Sequence, residues 1–167
     1  AERASDGNVS IIYWQAPSIL NPYLSGGTKD IESSSLVIEP LGRYDQTGAL
    51  VAYLAEDIPT VANGGVSADL TSITWTLKKG LKWSDGSPVT SADVKFTADY
   101  CMNPDMGCAQ LAAFDGIESI KVVDDLTVTV NFDAPKPNPY GPWCFQTQTL
   151  LVSRRHRPCE TSARRRR

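Results

Sequence analysis

The chain has 167 residues, of which 41% are hydrophobic and 21% charged, and its formal net charge at pH 7 is −3. A chain of this length buries enough surface for one sizeable core, and no apolar stretch in it approaches the roughly 20 residues that cross a bilayer. Residues 1–150 carry 9 basic and 18 acidic residues, which excludes broad attraction to nucleic acid, whereas residues 151–167 carry 7 arginines and one glutamate.

The first third of the chain predicts short strands around one helix. The β-branched and aromatic run Val9–Trp14 predicts a buried strand that ends before Pro17. Three further elements follow in chain order: a loop over Gln15–Gly27, a helix over 31–38 capped by Thr28 or Asp30 and ended by Pro40, and a hairpin that runs from Arg43 through Gly48 to Leu54.

The middle of the chain has the most regular pattern. Within Ser72–Lys78, apolar side chains alternate with polar ones, which predicts a half-buried strand with Ile73, Trp75 and Leu77 on one face. Aromatic residues at this spacing favour core positions, so we expect Trp75 to be buried. The stretch Trp83–Gly86 predicts a tight turn in which the glycine supplies the positive φ.

A capped helix and a second hairpin follow. Thr90 and Asp93 have approximately the spacing of a capping box, and the helix is expected to run to about Cys101. Ile117–Val123 and Leu126–Phe132 predict a hairpin around two aspartates. The residues of this region expected to be buried are Val94, Ala98, Cys101, Leu126, Val128, Val130 and Phe132. The chain is therefore predicted to mix helices with antiparallel strands.

Four cysteines, at positions 101, 108, 144 and 159, leave three interpretations open. Cys101 and Cys108 flank a turn-forming stretch that can bring the two thiols together in a disulfide, and a disulfide would imply an oxidising compartment. The second interpretation is a pair of free buried thiols. The third is a metal site, although zinc sites favour shorter cysteine spacings together with further ligands.

The sequence contains no recognisable catalytic constellation. Its single histidine, His156, lies in the arginine-rich end, so a hydrolytic triad has no evident base, and no glycine-rich phosphate loop is present. The acidic pairs Glu56–Asp57 and Asp124–Asp125 leave a carboxylate-dependent hydrolase as one hypothesis, but adjacent acids in turns are usually solvated. We therefore expect no enzymatic activity, no cofactor and no metal.

Residues 77–96, with the sequence LKKGLKWSDGSPVTSADVKF, strongly resemble the signature of the family 5 extracellular solute-binding proteins. These are the dipeptide, oligopeptide and nickel class that delivers cargo to ABC importers. The resemblance covers roughly residues 8–143 and includes flanking segments in the same order. Those segments are Leu20–Tyr23, Leu41–Asp45, Leu54–Glu56 and Asp125–Phe132.

The resemblance implies a fold and a function. The fold is α/β (mixed α+β), the N-terminal part of a two-lobed type II periplasmic-binding fold of cluster C, here without its second lobe. The function is that of a bacterial periplasmic, extracellular or lipid-anchored receptor. Such a receptor binds a short peptide or a similar small solute between its lobes, passes it to a membrane ABC permease complex, and performs no chemistry.

The resemblance also implies where the ligand binds. In that family the first strand and the loop after it contribute to the cleft, which assigns ligand contacts to Trp14, Gln15, Ala16, Pro17 and Asn21. Extended backbone there can pair with the N–H and C=O groups of a peptide. The alternative is that this stretch is only a tight loop, and the turn at Trp83 is interpreted as scaffold.

Three regions are expected along the chain. Residues 1–44 begin lobe I, residues 45–143 form a subdomain packed on it, and residues 144–167 form an arginine-rich tail without family character, either disordered or translated out of frame. On this interpretation the chain is truncated and binds ligand weakly or not at all. The alternative is a small secreted interaction module whose basic tail binds an anionic partner.

Overall fold

The computed structural model describes residues 12–36 and 38–145. Residues 9–11 of the first predicted strand and all but the first two residues of the predicted tail lie outside this part. The helices and strands of the described part are α1 (Thr28–Ser34), β1 (Gly42–Tyr44), β2 (Leu50–Ala52), β3 (Ser72–Thr76), α2 (Ser91–Met102), β4 (Ile117–Val122), β5 (Thr127–Phe132) and β6 (Cys144–Phe145). Short 3-10 turns lie at Pro22–Leu24, Pro104–Met106 and Leu111–Phe114.

A small sheet has β1 at its centre, in the order β2-β1-β6. β2 pairs with β1 antiparallel, and the predicted hairpin is thereby confirmed. β6 pairs with β1 parallel, with Gly42 opposite Cys144. A glycine is needed at this position because a Cβ on Gly42 would lie 2.9 Å from Sγ of Cys144.

The larger sheet has the strand order β3-β5-β4, with both pairs antiparallel. Trp75 lies opposite Val128, and Ile73 lies opposite Val130, so these four side chains share one face. All four are buried completely, which confirms the alternation seen in the sequence and the core position of the tryptophan. The predicted second hairpin is also confirmed, except that Leu126, at its turn, is half-buried.

Helix α2 packs against β4 and β5. Its first turn is closed by Asp93, whose carboxylate accepts the backbone N–H of Thr90 at 2.9 Å and the indole N–H of Trp83 at 3.4 Å. The backbone N–H of Ser91 donates to the carbonyl of Asp125 at 2.9 Å, which ties the helix to the β4–β5 turn. The predicted helix is confirmed, with Val94, Ala98 and Cys101 fully buried.

The cysteines follow the first of the three interpretations. Cys101 and Cys108 are joined in a disulfide, with their Cα atoms 5.0 Å apart. Cys144 is a free, buried cysteine, and its burial raises the pKa of the thiol to about 12.

The N-terminal predictions are wrong in two respects. Residues 12–14 are not in a strand: Ile12 is completely exposed and Trp14 is 69% exposed, since no described strand lies beside them to complete a ladder. Helix α1 begins at Thr28 rather than 31 and ends at Ser34 rather than 38. Its earlier end has a local cause, because three consecutive serine hydroxyls, those of Ser33, Ser34 and Ser35, donate to backbone carbonyls of the helix.

Candidate functional site

The residues predicted to contact ligand form an exposed stretch before the first 3-10 turn. Trp14, Gln15, Ala16 and Pro17 are all exposed, and the ring of Tyr13 lies 5.9 Å from that of Trp14. We call residues 13–17 the aromatic segment. Its members are consecutive in the sequence, and the structure leaves all of them exposed.

The loop after the aromatic segment is anchored by Asp30 of α1. The carboxylate Oδ1 of Asp30 accepts the backbone N–H of Ser18 at 2.6 Å, and Oδ2 accepts the hydroxyl of Ser25 at 2.7 Å. Lys29 donates to the same carboxylate at 2.8 Å and also to the hydroxyl of Ser18. One buried carboxylate, in a residue that is only 3% exposed, therefore fixes both sides of the loop. Asp30 does so although it lies well after the two aromatic residues in the sequence.

A second set of contacts fixes the end of the loop. The hydroxyl of Ser34 donates to the carbonyl of Leu20 at 3.0 Å, and Oδ1 of Asn21 accepts the backbone N–H of Tyr23 at 3.0 Å. The carbonyl of Tyr23 in turn accepts the backbone N–H of Ala109 at 2.7 Å. Asn21 is half-buried and its side-chain oxygen caps the 3-10 turn, so the structure sets it apart from the four exposed residues before it.

The electrostatics of the anchor differ from those of the segment it holds. The Lys29 ammonium, followed by the Ser25 hydroxyl, lowers the pKa of Asp30 far below its usual range, so the carboxylate is charged throughout the physiological range. Residues 12–25 contain no Asp, Glu, Lys or Arg. The aromatic segment itself therefore offers a phenol, an indole, an amide and backbone groups. The charges of Lys29 and Asp30, which contact Ser18 just after it, are paired with each other at 2.8 Å.

The backbone of residues 14–17 makes no hydrogen bonds within the described part of the chain. None of its N–H or C=O groups bonds to another described residue, in contrast to the anchored groups of Ser18, Ile19 and Leu20 just after it. The extended conformation expected here is interrupted, because the backbone bends at Trp14 and Gln15. Peptide pairing with this stretch would therefore use individual open N–H and C=O groups rather than a regular added strand.

Asp30 is the residue whose role the sequence analysis missed. Its position near the start of a helix suggested a cap, which is the only signal that the sequence carries. The structure shows Gly27 at the N-cap instead, with the Asp30 carboxylate turned to a loop 11 and 12 residues away. Contacts at that separation leave no periodic trace in a sequence.

Acidic side chains also line a cavity elsewhere in the described part. Glu56 and Asp57 line an open cavity of about 220 Å³ together with Asn63, whose side chain is already bonded to the surrounding backbone. Among the described residues, no three His, Cys, Asp or Glu side chains are grouped so as to hold a metal ion. None of the helices in the described part is both long and apolar enough to cross a membrane.

The Trp83–Gly86 turn has internal contacts. Asp85 accepts both the backbone N–H and the hydroxyl of Ser87, at 3.0 and 2.7 Å, and Gly86 has a φ of +83°. The predicted turn is confirmed, and the Asp85 carboxylate forms hydrogen bonds within this local segment.

The family model for bacterial extracellular solute-binding proteins, family 5 middle region, matches residues 49–156, which is more than half of the chain. The chain belongs to this family. The match extends past residue 143, where the sequence resemblance was expected to end, and it includes β6.

Individual relatives support the same assignment. An ABC transporter peptide-binding protein from Brucella ovis is 34% identical over 101 residues, covering 60% of this chain and 18% of the relative. The glutathione-binding protein of Pectobacterium atrosepticum is 28% identical over 116 residues, covering 70% of this chain and 21% of the relative. The chain thus spans about a fifth of the length of these curated relatives.

Solved structures show the fold. Haemophilus influenzae OppA in complex with RPPGFSPFR is 23% identical and aligns with a TM-score of 0.71 over 83% of this chain and 29% of that one. The predicted fold class is confirmed, since the mixed helices and sheets cover part of a type II periplasmic-binding fold. The family consists of extracellular solute-binding proteins rather than enzymes, which supports an exported location.

Proposed function

We propose that the chain is part of the substrate-binding component of a peptide-type ABC importer, and that the aromatic segment is one face of its ligand site. The observation that carries the proposal is the stretch Trp14–Pro17, which is exposed, carries no charge and has no backbone hydrogen bond to another described residue. The family assignment and the peptide-binding relatives support the same function.

The chemistry of the segment favours a ligand with an extended backbone. Trp14 offers an apolar surface, Gln15 offers an amide, and the open backbone groups offer hydrogen bonds to the ligand's own backbone, which depend little on the ligand's side chains. Asn21 contributes by holding the loop's end through its bond to Tyr23, and it is proposed to reach the ligand only with its remaining polar atoms. Short peptides satisfy all of these contacts, and delivery to a membrane permease complex follows from the family.

Binding to this 167-residue chain alone is expected to be weak. The described residues offer one exposed face and no enclosed cleft at the aromatic segment, so a peptide would remain largely in water. Tight small-ligand sites instead bury most of the ligand surface.

The lipid anchor implied by the family resemblance is also part of the proposal.

The test is an NMR titration of the chain with di- to pentapeptides. The expected result is shifts of backbone amides confined to residues 13–21, saturating with a Kd weaker than about 100 µM. Trp14→Ala should remove these shifts. Leu36→Ala is the matched control, because Leu36 is an apolar residue exposed to a similar degree, 66% against 69%.

Two outcomes would contradict the proposal. Shifts centred on another surface would reject the aromatic segment as the site, and saturable binding in the low micromolar range would reject weak binding. The alternative of a basic tail that binds an anionic partner depends on residues outside the described part, and it stays a prediction from the sequence.

A further inference from the structure

The Cys101–Cys108 disulfide lies at the junction between the loop of the candidate site and the rest of the fold. Cys101 is fully buried near the end of α2, and Cys108 is 9% exposed. Between them the chain makes a tight turn, in which Oδ1 of Asn103 accepts the backbone N–H of Asp105 at 3.0 Å. Gly107 completes the turn with a left-handed φ of +64°.

Both neighbours of the disulfide contact the same residue. Tyr100, which precedes Cys101, has its ring 6.2 Å from the ring of Tyr23. Ala109, which follows Cys108, donates its backbone N–H to the carbonyl of Tyr23 at 2.7 Å. Tyr23 is only 2% exposed, so it is enclosed where these two contacts meet.

Tyr23 is in turn bonded to the loop of the candidate site. Its backbone N–H donates to the side chain of Asn21 at 3.0 Å, and the backbone N–H of Leu24 donates to the carbonyl of Asn21 at 3.1 Å. A shift of Tyr23 therefore moves the residue at which the loop after the aromatic segment ends.

We propose that Cys101 and Cys108 are positioning residues for the ligand-binding loop. Their bond holds Tyr100 and Ala109 at the separation that encloses Tyr23, and Tyr23 holds Asn21. The ligand-binding part of this inference rests on the proposed function above. The structural part of the inference, in which the disulfide restricts the motion of residues 20–24, does not depend on the proposed function.

The effect of the bond is expected to be local. The bond joins residues only seven positions apart, so it constrains the unfolded chain less than a long-range bond would. The buried residues that attach α2 to the sheet, Val94 and Ala98, lie one to two turns before the bond. Loss of the disulfide should therefore loosen the junction before it loosens the sheet.

The experiment compares amide hydrogen exchange in the native chain and in the Cys101→Ser/Cys108→Ser variant, without ligand. Exchange of the Ala109 and Leu24 amides should accelerate about tenfold or more, while that of Trp75 and Val130 should change less than about threefold. Cys144→Ser is the matched control, because it removes a buried cysteine that is not in the disulfide. An acceleration at Ala109 no larger than at Val130 would overturn the proposal.

A reduction experiment and a peptide titration complete the test. If the double variant does not fold, the unmodified chain is compared with and without dithiothreitol, and the same amides are followed. In a peptide titration the variant should bind at least about fivefold more weakly than the unmodified chain. Failure of the unmodified chain to bind peptide would reject the aromatic segment as a ligand site and leave the exchange result intact, whereas unchanged affinity in the variant would reject the positioning role.

Discussion

Oδ1 of Asp30 accepts a hydrogen bond from the backbone N–H of Ser18, twelve residues earlier in the chain, at 2.6 Å. The other oxygen of the same carboxylate accepts the hydroxyl of Ser25 at 2.7 Å. Because hydrogen bonds to an ionised acceptor are roughly twice as strong as neutral ones, the charge of Asp30 matters for the loop as much as its position does.

Asp30→Asn should loosen the loop beside the aromatic segment. The amide keeps the size of the side chain and one acceptor oxygen but loses the charge, so that oxygen can accept either the N–H groups of Ser18 and Ile19 or the hydroxyl of Ser25, and not both sets. The bonds that remain are weaker because the acceptor is no longer ionised. Exchange of the Ser18 amide should accelerate about tenfold. Glu32→Gln is the control, since it makes the same charge change on the same helix. The hydrogen bond that Glu32 accepts from Ser35 uses its backbone carbonyl, so this substitution leaves the bond in place. Equal acceleration in the two variants would contradict this role.

Asp69 should make folding stability fall in acid. Hydroxyl hydrogen bonds from Ser67 and Thr71 lower the pKa of Asp69 from 3.8 to about 2. Since the folded pKa lies below the ordinary value, the carboxylate stabilises the fold fully above pH 3.8, and this contribution is lost as the pH falls toward 2.

The measurement is the midpoint of urea unfolding between pH 6 and pH 2. Asp69→Asn should lower the midpoint at pH 6 and flatten its dependence on pH over the acidic part of that range. Asp30, whose pKa is also lowered, contributes with the same sign, so the flattening is partial. A variant whose acid slope equals that of the unmodified chain would refute the assignment to Asp69.

Asp93→Ala should destabilise helix α2 more than Asp99→Ala does. Asp93 is the N3 partner of the N-cap residue Thr90 in a capping box, and it accepts the backbone N–H of Thr90 and the indole N–H of Trp83. Loss of these hydrogen bonds should cost about 1 kcal/mol. Asp99 is paired with Lys95 on the exposed face, where such a pair contributes about 0.3–0.5 kcal/mol. Thermal unfolding of the two variants checks the order, and a reversed order would show that the cap is dispensable.

Gly65→Ala should destabilise the fold through a steric clash. A Cβ at this position would lie 2.6 Å from Cβ of Pro59 and 2.7 Å from its Cα, which forces the backbone apart and should cost about 1–3 kcal/mol. Gly26→Ala is the control, because a Cβ there meets nothing within 4 Å and should change the unfolding free energy by less than about 0.5 kcal/mol. Similar urea midpoints for the two variants would contradict the close approach at Pro59.

The sequence predicted elements whose causes are local. The alternation through Ser72–Thr76 encodes a strand because successive side chains face opposite sides, and the Asp93 cap encodes a helix start within three residues. The same reasoning predicted the turn at Gly86 and put a disulfide between cysteines seven positions apart among three interpretations, of which the structure selects it.

Features that depend on distant partners were missed. A β-branched run becomes a strand only when another strand completes its hydrogen bonds, and residues 12–14 have no such neighbour in the described part. The contact from Asp30 to Ser18 closes a loop that no sequence period marks. In the candidate site, the exposed stretch was located from family resemblance, whereas its anchor was visible only in three dimensions.

The pairing of β1 with β6 has a consequence for how the chain folds. The two strands are separated by roughly 100 residues, so their contact closes a long loop and cannot form early. While the chain is being made or exported, β1 exposes an unpaired edge until residues 144 and 145 arrive. During that interval the edge can pair with a strand of another molecule, so aggregation should be sensitive to what happens at β6, which is the last strand in the described part of the chain.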